Sequence, residues 1–157
     1  MNIKRALYAG SFDPFTNGHL HIVKCGAELF DELFIGIASN YGKKRSTDVL
    51  EMKNAIQCEF SDFTNISVVV IDGLVADFCK ENNVSYLLRG LRNTSDYLYE
   101  ENIAKINREI NPDLKTIYFR ADNDVISSTM IRELIQYGKD VSKFVPEQIY
   151  KIYKEDV

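Results

Sequence analysis

Five short apolar runs, each followed by a stretch of helical spacing, decide what this chain can fold into. The runs lie at 6–9, 33–38, 66–71, 86–88 and 116–119, and the run at 66–71 is strongly β-branched. Such short continuous runs suit strands buried on both faces of a parallel sheet. Between them, Leu20, Val23, Ala27 and Phe30 recur at helical spacing. Asp48, with Glu51 three residues later, reads as the capping box of a helix running to about 60. Further helices are expected over 74–80 and over 94–110, with Tyr99, Ile103, Ile106 and Ile110 on one face of the second. Another spans 127–137 and is closed by Gly138. A last one starts near Pro146 and packs through Ile149 and Ile152. Strands separated by helices pair in parallel through right-handed crossovers. The expectation is a single α/β domain over 1–157, a doubly wound five-stranded parallel sheet with helices on both faces.

Sheets of this kind bind ligands outside the carboxyl ends of their strands. The loops expected there are 10–18, 39–47, 72–73, 89–93 and 120–128, and the chain's unusual residues concentrate in them. Gly10-Ser11-Phe12-Asp13-Pro14-Phe15-Thr16-Asn17-Gly18-His19 joins the first strand to the first helix. A histidine at a helix start can donate a hydrogen bond to a phosphate drawn there by the helix dipole. Gly18 lets the chain approach a ligand closely. Ile126-Ser127-Ser128-Thr129 places three hydroxyls at another helix start, more than a cap requires. Leu88-Arg89-Gly90-Leu91-Arg92 brings a guanidinium to the end of a strand, and Lys43-Lys44-Arg45 adds charge to the same rim. Each piece has a structural explanation when read alone: His19 as a cap, Ser11 as a turn serine, Asp13-Pro14 as turn architecture, Ser127 as an N-cap, the cations as solvated charge.

Composition narrows the choice. At 157 residues with 45% apolar and 27% charged side chains, the chain is of ordinary globular make-up. There is no apolar run of 18 residues for a membrane span, and no secretory pattern at the N-terminus, so a cytoplasmic protein is expected. Cys25, Cys58 and Cys79 are far apart and lack metal-ligand spacing, so they read as small hydrophobes. A net charge of −4 argues against nucleic-acid binding, and local basic clusters in an acidic chain suit a small polyanion.

These motifs together resemble the nucleotidyltransferases that carry a (His/Thr)-x-Gly-His motif and a downstream Ile-Ser-Ser-Thr motif, here Thr16-Asn17-Gly18-His19 and Ile126-Ser127-Ser128-Thr129. Within that superfamily the chain is most similar to the bacterial phosphopantetheine adenylyltransferases, from Arg5 to about Pro146. The likeness includes the Lys43-Lys44 pair, Arg89-Gly90-Leu91-Arg92, Asp96-x-x-Tyr99-Glu100, Asn107-Arg108 and Phe144-x-Pro146-Glu147. The resemblance implies a Rossmann-like fold and transfer of AMP from ATP to 4′-phosphopantetheine, giving 3′-dephospho-CoA and pyrophosphate. It implies Mg²⁺ carried by ATP with no metal site of the protein's own, a homohexamer, and coenzyme A as a candidate feedback inhibitor. It implies no nucleic-acid or membrane partner.

Carried over position by position, the resemblance makes His19, Lys43 and Arg92 the catalytic residues. Ser11, Phe12, His19, Gly90, Leu91, Arg92, Glu100, Asn123, Asp124, Val125, Ile126, Ser127, Ser128 and Thr129 correspond to ATP-binding positions. Ser11, Lys43, Val75 and Arg89 correspond to positions that bind 4′-phosphopantetheine. The chain also departs from the family pattern. Ala9 stands where proline is usual, His21 where aspartate is frequent, Arg45-Ser46 in place of a proline-containing step, and Met52 where arginine is common. The segment 120–125 is shorter than usual. Two alternatives stay open: a related nucleotidyltransferase acting on another phosphate monoester, and a non-catalytic ATP-binding module.

Overall fold

In the computed structural model, which describes residues 2–39, 43–121 and 127–154, the chain forms β1 (Arg5–Gly10), α1 (Asn17–Leu29), β2 (Glu32–Ser39), α2 (Val49–Glu59), β3 (Ile66–Asp72) and α3 (Val75–Glu81). It continues with β4 (Tyr86–Leu91), α4 (Thr94–Ile110), β5 (Lys115–Arg120), α5 (Ser128–Gln136) and α6 (Glu147–Lys154). The five strands form one sheet in the order β3-β2-β1-β4-β5, and every pairing is parallel. This is the expected doubly wound α/β architecture.

Alternation along β1 explains the two layers of core. Ala6 and Tyr8 point to the face covered by α1, α2, α5 and α6, where Ile22, Met52, Ile56, Ile131 and Ile149 are buried. Leu7 and Ala9 point to the opposite face, where Ala76 and Cys79 of α3 are buried and Ile110 of α4 packs. Strand order reverses beside β1: the chain leaves β1 for β2 and β3, then returns to β1's other edge as β4. The loops after β1 and β4 therefore diverge, and a crevice opens between them at the carboxyl end of the sheet.

Three elements differ from expectation, each for a local reason. First, α1 begins at Asn17, earlier than the apolar spacing suggests, because Thr16 supplies its N-cap. Second, β4 runs on through Leu91, since β5 continues to pair with it: Arg89 opposite Tyr118, Gly90 opposite Phe119 and Leu91 opposite Arg120. Arg89 and Gly90 thus belong to the strand and are held by it. Third, the face of α4 that carries Tyr99 and Ile106 is not core, since these residues are 67% and 61% exposed. The one buried residue of α4 is Glu100, drawn inward by a guanidinium beneath the helix.

Candidate active site

Two cavities meet in the crevice. The first, of about 400 Å³, lies between the β1–α1 turn, the end of β4 and the start of α5. The second, of about 1210 Å³, lies between the same turn, the 43–46 loop, the start of α3 and the Tyr99–Ile103–Asn107 side of α4. Ala9, Gly10, Ser11, Arg89 and Tyr99 line both. Ser11, exposed at the end of β1, therefore stands where two separately bound molecules would touch.

His19 is fixed by the cap of α1. The Thr16 N–H donates to His19 Nδ1 at 3.0 Å, and the His19 N–H returns a bond to Thr16 Oγ1 at 3.3 Å. A backbone N–H can only donate, so Nδ1 must accept and the ring proton sits on Nε2. The imidazole lines the first cavity, resting edge-on against Phe12 with ring centroids 4.9 Å apart. Burial, with the Arg89 and then the Arg92 guanidinium nearby, lowers its pKa to about 3. His19 is thus a neutral donor near pH 7, with no proton to take or give as acid or base. Nδ1 makes the cap, and Nε2–H is left facing the first cavity.

Arg89 is held along its whole head group. Its Nε and Nη2 donate to the two Glu100 oxygens at 2.7 Å each, and Nη1 donates to the Ala9 carbonyl at 2.6 Å. A guanidinium has five N–H groups, so two have no partner among the described residues. Glu100 belongs to the lining of the first cavity, but its carboxylate is committed to this bidentate pair. Arg92 pairs less tightly with Asp96, Nε to Oδ2 at 3.3 Å. Tyr8 lies below, and burial outweighs Arg89 in pushing its phenol well above the ordinary range.

The hydroxyls at the start of α5 have structural partners. Ser127 Oγ caps the Met130 N–H at 3.1 Å, Ser128 Oγ donates to the Pro14 carbonyl at 2.9 Å, and Thr129 Oγ1 accepts from Arg132 at 3.1 Å. The first and third stay within α5, and the Ser128 hydroxyl ties the helix to the β1–α1 turn. What remains is the first-turn backbone: among the described residues neither the Ser128 nor the Thr129 N–H has a partner, and both residues line the first cavity. Two such amides at a positive helix end are the kind of arrangement that attracts an anion.

Phe12, Gly90, Arg92 and Glu100 line the first cavity together with His19 and 127–129. Leu91 does not; it faces a neighbouring groove with Tyr97 and Tyr118. Lys43 and Val75 line the second cavity, where Lys43 is exposed. Asn123, Asp124, Val125 and Ile126 lie outside the described residues. Sequence reasoning missed Arg45, which donates to the carbonyls of Ser11, Phe12 and Thr47. It also missed the brace behind it: buried Asp13 accepts from the Ser46 N–H, the Ser46 hydroxyl and the Thr47 N–H. Neither left a signal in the sequence, since their partners are mostly backbone groups that only the fold brings near.

The cytidylyltransferase-like family profile matches residues 7–134. Proteins named phosphopantetheine adenylyltransferase match over nearly the full length. That of Lachnoclostridium phytofermentans is 38% identical over 96% of this chain and 93% of its own. Those of Vesicomyosocius okutanii and Streptococcus uberis are 39% and 40% identical, again over 96% of this chain and over 97% and 93% of their own lengths. The chain belongs to the phosphopantetheine adenylyltransferase family. A solved structure from Vibrio parahaemolyticus, provisionally named a nicotinate-nucleotide adenylyltransferase, superposes with a TM-score of 0.71 over 97% of this chain and 99% of that one, at 14% identity. At that identity the likeness concerns the fold alone.

Proposed function

We propose that the chain, acting as one nucleotidyltransferase domain over 1–157, moves AMP from ATP to 4′-phosphopantetheine, releasing pyrophosphate and forming 3′-dephospho-CoA. The observation that carries this reading is the meeting of the two cavities at Ser11, with a neutral imidazole donor on one side and a braced guanidinium between them. The first cavity takes ATP. The Ser128 and Thr129 amides and Arg92 hold the β- and γ-phosphates, and the His19 Nε2–H donates to the α-phosphate as charge builds there. The second cavity takes the acceptor. The free donors of Arg89 and the Lys43 ammonium grip its phosphate, and Val75 borders the pantetheine arm.

A phosphate monoester has a second pKa of about 6, so the acceptor reaches the site as a dianion near pH 7. It is already a nucleophile, and the site needs no general base. A histidine held neutral by burial and cations suits this chemistry: it stabilises charge without consuming the acceptor's proton equilibrium. Catalysis is then positioning plus electrostatic stabilisation.

Mg²⁺ is proposed to arrive on the triphosphate. The carboxylates lining the first cavity, Asp96 and Glu100, are already paired with Arg92 and Arg89. That set fits an ion carried by its nucleotide better than one held in a protein cage. The ion would supply charge neutralisation on the leaving pyrophosphate. A cytoplasmic homohexamer is the proposed assembly, supported by apolar Leu98, Tyr99 and Ile106 left open along α4. Coenzyme A, which shares the product's pantetheine arm, is the proposed feedback inhibitor.

The test is pyrophosphate release from ATP or CTP with a panel of acceptors, with and without Mg²⁺. ATP with 4′-phosphopantetheine should be preferred, and Mg²⁺ should be required. Preference for glycerol phosphate, ethanolamine phosphate or nicotinamide mononucleotide would reassign the acceptor. ATP binding with no pyrophosphate release from any pair would make the chain a binding module.

A further inference from the structure

Arg45 holds three backbone carbonyls at once. Its Nη1 donates to Ser11 O at 2.6 Å, Nη2 to Phe12 O at 3.2 Å, and Nε to Thr47 O at 3.0 Å. Two of these carbonyls belong to the turn where the cavities meet, and the third to Arg45's own loop. Phe12 needs such a hold. Its φ is +45°, a left-handed conformation that a bulky residue keeps only when its surroundings impose it. Its buried ring packs edge-on against His19, and against Tyr8 with centroids 5.3 Å apart.

We propose that Arg45 is a positioning residue for adenylyl transfer, its guanidinium fork setting Ser11 where the two substrates meet and, through Phe12, setting the His19 ring. The role rests on the reaction proposed above. The planar fork is what the geometry uses: two parallel N–H groups reach two successive carbonyls, which a single ammonium cannot match. The loop behind Arg45 has its own anchors. Asp13 accepts from Ser46 and Thr47, and the Thr47 hydroxyl lies 2.7 Å from the Tyr153 phenol on α6. Removing the Arg45 head group therefore frees the Ser11 and Phe12 carbonyls while Asp13 still ties the turn to the loop.

The experiment compares Arg45→Ala and Arg45→Lys with the unsubstituted chain by two readouts. One is initial-rate kinetics with both substrates varied; the other is the NMR signal of the His19 ring in the free protein. Both variants should lose at least about tenfold in kcat, as expected when reacting groups are slightly misplaced, while both KM values stay within about threefold. Both should also shift the His19 ring resonances, with melting temperatures close to that of the parent. Should Arg45→Ala fail to fold, Arg45→Lys carries the same comparison. Restored kcat in Arg45→Lys, or a rise confined to the acceptor KM, would overturn the proposal and make Arg45 a simple phosphate charge. Unmoved His19 resonances would overturn it as well, whatever the chain's substrate. Absence of pyrophosphate release from the unsubstituted chain would count against the reaction, leaving the NMR readout to judge Arg45.

Discussion

The starts of α1 and α5 both face the first cavity, and both are helix ends of the kind that draws anions, yet they offer different things. At α1 the first-turn amides are mostly spent: Asn17 N–H donates to the Phe144 carbonyl at 2.9 Å and His19 N–H to Thr16. Only the Gly18 amide lacks a described partner. A Cβ at Gly18 would meet nothing closer than 3.5 Å within the protein, so the room left there opens toward the cavity. The donor that α1 presents is a side chain, the His19 Nε2–H. At α5 each hydroxyl has a structural partner, while the Ser128 and Thr129 amides have none among the described residues. One end presents a single side-chain donor to the cavity and the other a pair of amides; in the proposed reaction the first serves the α-phosphate and the second the departing pyrophosphate.

The contrast breaks most sharply at His19. His19→Ala should lower kcat by at least about 100-fold, roughly 3 kcal/mol of transition-state stabilisation. It should also lose about 1 kcal/mol of stability, because Nδ1 caps Thr16. Steady-state kinetics and thermal melting measure the two effects. A variant with near-parent kcat would reduce His19 to a cap.

At α5 the amide can be separated from the hydroxyl by comparing Ser128→Pro with Ser128→Ala. Ser128 is the first helical residue, where proline is tolerated, and Ser127 before it has ψ 148°, which proline accepts. Both variants lose the bond to Pro14, and only proline also loses the N–H. ATP affinity by calorimetry should be about tenfold weaker for Ser128→Pro than for Ser128→Ala, roughly 1.4 kcal/mol for one charge-assisted bond. Equal affinities would remove the Ser128 amide from the phosphate site.

The fold was legible because buried parallel strands are continuous apolar runs, and five of them cannot be joined by helices in many ways. The rim was legible for the same reason, since topology alone put the polar loops at one end. The ends of elements were harder. Thr16-x-x-His19 is a capping box in which imidazole takes the place of the usual Glu or Gln, so the spacing did not mark the start of α1. Periodicity revealed a face on α4 but not what covers it, and an arginine under the helix turned Glu100 inward instead. The three hydroxyls at 127–129 lie at the crevice, as expected, but each has a structural partner there. Arg45 could not be read, because its partners are carbonyls that every residue has.

The proposed reaction works with a neutral, Nε2-protonated imidazole and no general base. Because the folded pKa of about 3 lies below the ordinary 6.5, the stability linked to His19 is complete above pH 6.5 and fades as pH falls toward 3. Nitrogen-edited NMR of the histidine rings between pH 5 and 8 tests this directly. The His19 ring should stay neutral, with the proton on Nε2 throughout and no inflexion. A His19 titration near 6.5, or a proton on Nδ1, would contradict it.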